Sequence, residues 1–71
     1  MATKKKLITS QDTSAAERAV RSAATARFGR VKKDVFYEHG QWWVQIWDPI
    51  EQEDVSFSAV DTNRGIDFER I

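Results

Sequence analysis

The chain has 71 residues, with 11 Lys and Arg balanced by 11 Asp and Glu and no cysteine. That length bounds a single domain with a thin stability margin, and the lack of cysteine excludes disulfides and thiolate metal sites. Charge is unevenly spread: Lys4, Lys5, Lys6, Arg18, Arg21, Arg27, Arg30, Lys32 and Lys33 precede Gly40, whereas only Arg64 and Arg70 follow it, among seven carboxylates. A basic half is thus joined to an acidic half, which either neutralise each other on folding or leave two opposed surface fields.

Residues 1–12 are polar, with the Lys4–Lys6 cluster and a lone Leu7-Ile8 pair, and are expected to form a flexible basic arm preceding a single domain over 13–71. Leu7 and Ile8 are too short an apolar run for a signal peptide, and no segment is apolar enough to span a bilayer. A soluble cytoplasmic protein with no membrane partner is the resulting expectation.

Thr13 to Phe28 predicts the one substantial helix. Ser14 and Glu17 have capping-box spacing, and Asp12 adds negative charge near the N-terminus. Ala16, Val20, Ala23, Ala24 and Phe28 form an apolar stripe, Glu17 and Arg21 are an i,i+4 pair, and Gly29 is placed to end the helix.

The stretch from Val35 to Trp47 is the most apolar and aromatic in the chain and reads as a hairpin turning at His39-Gly40. Its strands are expected over Arg30–Glu38 and Gln41–Asp48, with Pro49 stopping the second. Pairing Glu38 with Gln41 sets Tyr37 opposite Trp42, Phe36 opposite Trp43, Val35 opposite Val44 and Lys33 opposite Ile46. One face then carries Val31, Val35, Tyr37, Trp42, Val44 and Ile46, and the other Lys32, Asp34, Phe36, Trp43, Gln45 and Trp47. Adjacent Trp42 and Trp43 must point to opposite faces whatever the register.

Alternation over Asp54–Asp61 predicts a third strand with Val55, Phe57 and Ala59 on one side. A turn over Asp61–Gly65 leads to Ile66–Ile71, which reads either as a short fourth strand with Ile66 and Phe68 inward or as a loose tail. The expected architecture is α+β: one N-terminal helix packed on a three- to four-stranded antiparallel β-meander. Val20, Ala24, Phe28, Val35, Tyr37, Trp42, Val44, Ile46, Val55 and Phe57 form its core. The helix over Ala16–Gly29, the strand Gln41–Asp48 and the turn Val60-Asp61-Thr62-Asn63-Arg64-Gly65-Ile66 resemble the PepSY-type small α+β modules. That resemblance implies a non-catalytic interaction or inhibitory role and transfers no site residues.

Catalytic signals are weak. His39 is the only histidine, in a turn with no oriented nucleophile or acid suggested beside it. Asp61, Asn63, Asp67 and Glu69 imitate a calcium loop, but the glycine falls one place early and no bidentate glutamate follows. Asp48, Glu51, Glu53 and Asp54 read as a solvated loop, and no phosphate-binding glycine motif is present. No enzyme, cofactor or small-molecule substrate is expected.

A single helix leaves the second sheet face without obvious cover, unless the C-terminal tail or a neighbouring loop packs over it. Phe36, Trp43 and Trp47 there would form an apolar patch on the order of several hundred Å². The leading expectation is a non-enzymatic protein-interaction or regulatory module, binding a protein partner or a second copy through Phe36, Trp43, Trp47 and Lys32. The alternative is nucleic-acid binding by the same face, helped by Lys4, Lys5, Lys6, Arg30 and Lys32, with bases stacking on the aromatics.

Overall fold

The structure is a computed structural model that describes residues 8–71. Its centre is the anticipated hairpin. Strands β1 (Lys33–Glu38) and β2 (Gln41–Asp48) pair antiparallel in the expected register, from Glu38 opposite Gln41 to Lys33 opposite Ile46. The turn works because His39 and Gly40 both take positive φ, 53° and 80°. That twist matches the two strands, glycine adopts it at no steric cost, and histidine tolerates it better than most residues.

β3 (Glu53–Thr62) adds antiparallel to β2, and β4 (Gly65–Arg70) to β3, giving a four-stranded meander in the order β1-β2-β3-β4. In the β2–β3 turn, Asp48 Oδ1 accepts from the backbone N–H of Ile50 at 2.9 Å and of Glu51 at 3.3 Å. This side-chain-closed turn follows from Pro49, which cannot donate to a ladder. At the β3–β4 turn, Thr62 Oγ1 donates to the Gly65 carbonyl at 2.9 Å and accepts from the Arg64 N–H at 3.2 Å.

The helix α1 (Ser14–Phe28) lies across one sheet face, its Ala16, Val20 and Ala24 buried. Small side chains let it sit close to the strands, over Trp42, Val44, Ala59 and Phe68. Phe28 closes the far end, 4.7 Å from the Phe57 ring centroid and 5.4 Å from that of Phe68. Of the expected core, all but Val55 belong to this cluster or pack against it. Val55 is half-buried at the sheet end.

The helix cap and the start of β1 differ from the sequence reading. The helix cap is Thr13 rather than Ser14: Thr13 Oγ1 accepts from the Ala16 N–H at 3.0 Å. The shift leaves the Glu17 carboxylate, 3.3 Å from the Arg21 guanidinium, to form the i,i+4 pair instead of closing a capping box. β1 begins at Lys33, not Arg30, because the chain leaving Gly29 uses residues 30–32 to cross from the helix layer to the sheet. Val31, which the sequence reading set on the same hairpin face as Val35 and Val44, is therefore 41% exposed.

The N-terminal segment is the largest difference. The arm was expected to run through residue 12, yet Ile8–Ser10 form a 3-10 turn and Thr9 is buried. Thr9 donates twice to Asp61 Oδ2, from N at 3.0 Å and from Oγ1 at 2.6 Å, and Ile8 N donates to Asp61 Oδ1 at 3.3 Å. The Trp42 indole N–H donates to the Gln11 carbonyl at 2.6 Å, and the Tyr37 hydroxyl to the Ser10 carbonyl at 3.2 Å. Asp61, a calcium-loop candidate in the sequence, is thus the clasp that holds this segment to β3. Lys4, Lys5 and Lys6 lie outside the described residues.

Candidate functional site

Strand parity divides the sheet cleanly. Positions facing α1 include Val35, Tyr37, Trp42, Val44, Ile46, Phe57, Ala59 and Phe68, all in or against the core. The intervening positions face away. Among the described residues no helix or segment covers that second face. β4 does not fold over it either: it runs along β3 as an edge strand. Beyond it the Ile71 N–H continues the ladder to the Ser56 carbonyl at 3.0 Å.

A continuous row crosses the open face from β1 to β4: Phe36, Trp43, Ser58 and Glu69 are successive cross-strand partners. Phe36 is 36% exposed and Trp43 half-buried, while the small Ser58 is buried beside them. The Trp43 indole N–H donates to the Glu38 carbonyl at 2.8 Å. That bond satisfies its one polar atom and fixes the ring over the hairpin. Trp47 is 49% exposed and pairs with Asp54. Its indole nitrogen has no hydrogen-bond partner among the described residues.

The three aromatics share a face but do not form one patch. Gln45 stands between Trp43 and Trp47, which are separated by about 13 Å along the strand at the usual rise per residue. Beside Trp47 is a groove of about 400 Å³ lined by Lys32, Lys33, Asp34, Gln45, Trp47 and Asp54. Lys32 is therefore at this groove rather than beside the Phe36–Trp43 pair, and Arg30 is exposed in the crossing segment after the helix. A second, more apolar concavity of about 250 Å³ opens at the sheet end between Phe28, Ile46, Trp47, Pro49, Phe57 and Arg70.

The hairpin register already places Asp34 and Glu38 on the open face; the three further carboxylates there, Asp54, Asp67 and Glu69, escaped the sequence reading, which did not carry the register beyond the hairpin. Asp34, Glu38, Asp54, Asp67 and Glu69 share the parity of Phe36 and Trp43, and no strand position on that face is basic. The signal was present: the hairpin register, extended across the later strands, already assigns each of these side chains to a face.

His39 is 80% exposed at the turn, its Nε2 3.2 Å from Glu38 Oε1. Among the described residues no group of three or more His, Cys, Asp or Glu side chains is placed to hold a metal ion, and no helix is long and apolar enough to cross a membrane. Comparison with protein-family models, with curated proteins and with solved structures finds no match to the chain.

Proposed function

We propose that this chain is a small non-enzymatic protein-interaction or regulatory module whose contact surface is the open sheet face. Phe36, Trp43 and Trp47 are its anchors and Lys32 lies at its margin. The observation that carries this reading is the cross-strand Phe36–Trp43 pair with the half-exposed Trp47 on a face that no described element covers. Large aromatics with few rotatable bonds lose little entropy on docking and dominate interface energetics. Trp43 is already held in place by its bond to Glu38, so binding need not first order it. The resemblance to PepSY-type modules points to the same non-catalytic role. The carboxylates on this face weigh toward a protein rather than a nucleic acid, because phosphates would approach a surface of like charge.

The test is site-specific photo-crosslinking in cells, with benzoylphenylalanine at Phe36 and, as a control, at Ile50, which is 90% exposed in the β2–β3 turn. The expected result is a discrete adduct at position 36 only, sensitive to protease, resistant to nuclease, and lost when Trp47→Asp is added. A nuclease-sensitive adduct would replace the protein with a nucleic acid. Equal labelling from both positions, or none, would overturn the assignment of this face.

A further inference from the structure

The open face carries a charge pattern that selects its occupant. Asp34, Glu38, Asp54, Asp67 and Glu69 share that face with the aromatics. The basic strand residues face the other way: Lys33 and Arg70 share the parity of Val44 and Phe57. Arg18, Arg21 and Arg27 lie exposed on α1, on the far side of the sheet. At its strand positions the open face is therefore acidic, with five carboxylates and no basic residue.

These carboxylates are largely uncommitted. Among the described residues, Asp34, Asp54 and Glu69 have no ion-pair or hydrogen-bond partner, whereas Glu38 lies beside His39 and Asp67 Oδ1 accepts from the Phe68 N–H at 2.8 Å. Asp34 and Asp54 both line the groove beside Trp47. Two lysines border the same groove. The Lys33 ammonium donates to Thr25 Oγ1 at 3.3 Å, on the helix side. With the Lys33 ammonium drawn toward the helix, Lys32 is the cation on the open-face side of the groove, beside the two carboxylates.

Resting on the interface reading above, we propose that the partner is a cationic polypeptide segment, with an arginine seated in the groove against the Trp47 ring between Asp34 and Asp54, and an apolar side chain on the Phe36–Trp43 pair. An indole face attracts a guanidinium through its quadrupole, and a carboxylate receives it bidentately. The spacing between Trp43 and Trp47, about 13 Å, matches four residues of extended chain, so the apolar anchor and the arginine sit four positions apart in the partner. A second copy does not fit: face-to-face packing would set the carboxylates of both copies against each other.

The probe is a blocked pentapeptide, Leu-Ser-Ser-Ser-Arg, compared with the same peptide carrying citrulline, which keeps the shape of arginine without its charge. Each is titrated into the 15N-labelled protein. The expected result is saturable shifts of the Trp43 and Trp47 indole N–H resonances with the arginine peptide, at least tenfold weaker binding of the citrulline peptide, and a gap that closes in Asp34→Asn/Asp54→Asn. Unchanged amide resonances of Val20 and Val44 report that the double variant is folded. Equal binding of both peptides at these indoles overturns the cationic partner and leaves the interface reading standing. Absence of indole shifts with the arginine peptide also overturns it, and the crosslink at position 36 then decides separately whether the face is an interface at all.

Discussion

The tryptophans of β2 illustrate how residue identity says little until the environment is known. Trp42 is 4% exposed and its indole N–H is bonded to the Gln11 carbonyl, whereas Trp47, four residues beyond Trp43 on the opposite face, is half in solvent. Trp42→Ala should therefore cost about 3–5 kcal/mol, and in so small a domain much of the population should unfold. Trp47→Ser should change stability by no more than about 1 kcal/mol. Urea denaturation of both variants checks the pair, and equal losses would mean that the open face is packed as core. Asp61 is the other decisive residue. Its carboxylate satisfies the buried Thr9 hydroxyl and two backbone donors. Removing an ionised acceptor from such a site leaves those donors unpaired. Asp61→Ala should cost about 2 kcal/mol.

At the scale of elements, what the sequence made legible was whatever local geometry decides. The two positive-φ residues of the His39-Gly40 turn fix the hairpin register, and the register then dictates which of Trp42 and Trp43 is buried. Spacing of 3.6 residues was enough for the α1 stripe. The cap was not decided by spacing, because Thr13 and Ser14 both offer a hydroxyl near a free backbone N–H. The structure assigns the role to Thr13, which sits in extended conformation with φ −134° and ψ 158° and bonds the Ala16 N–H. Thr13→Ala should accordingly lower stability by about 1 kcal/mol, while Ser14→Ala, at an exposed first helical position, should leave it within about 0.5 kcal/mol. Thermal unfolding of the two variants side by side distinguishes the two capping schemes. The start of β1 was also hidden, since nothing in Arg30-Val31-Lys32 records that the chain is still crossing between layers.

For the whole molecule, the parts that the sequence concealed are those made between distant residues. Thr9 and Asp61 are 52 positions apart, and neither belongs to a periodic pattern that could announce a contact. The carboxylates that β3 and β4 add to the open face, Asp54, Asp67 and Glu69, were likewise invisible to a count along the chain, though they follow once four strands share one register. The N-terminal segment then matters out of proportion to its length. It occupies the edge of the core beside Trp42, with Ile8 packed against that cluster, and in a domain of this size a few kcal/mol is much of the total stability. Consider acetylated chains begun at Leu7 and at Asp12. Between them lie the three bonds to Asp61, the Ser10 acceptor of Tyr37 and the Ile8 contact, while the acetyl carbonyl of the shorter chain replaces the Gln11 carbonyl that accepts from Trp42. The shorter chain should unfold at a Tm lower by roughly 10 °C or more, since 1 kcal/mol shifts such a domain by about 4–8 °C. The clasp itself is isolated by a double-mutant cycle. Asp61→Ala should cost about 2 kcal/mol in the chain begun at Leu7 and close to nothing in the chain begun at Asp12, where its donors are already gone. An equal cost in both backgrounds would mean that Asp61 stabilises β3 by itself and that the N-terminal segment is held by its apolar contacts and the aromatic donors alone.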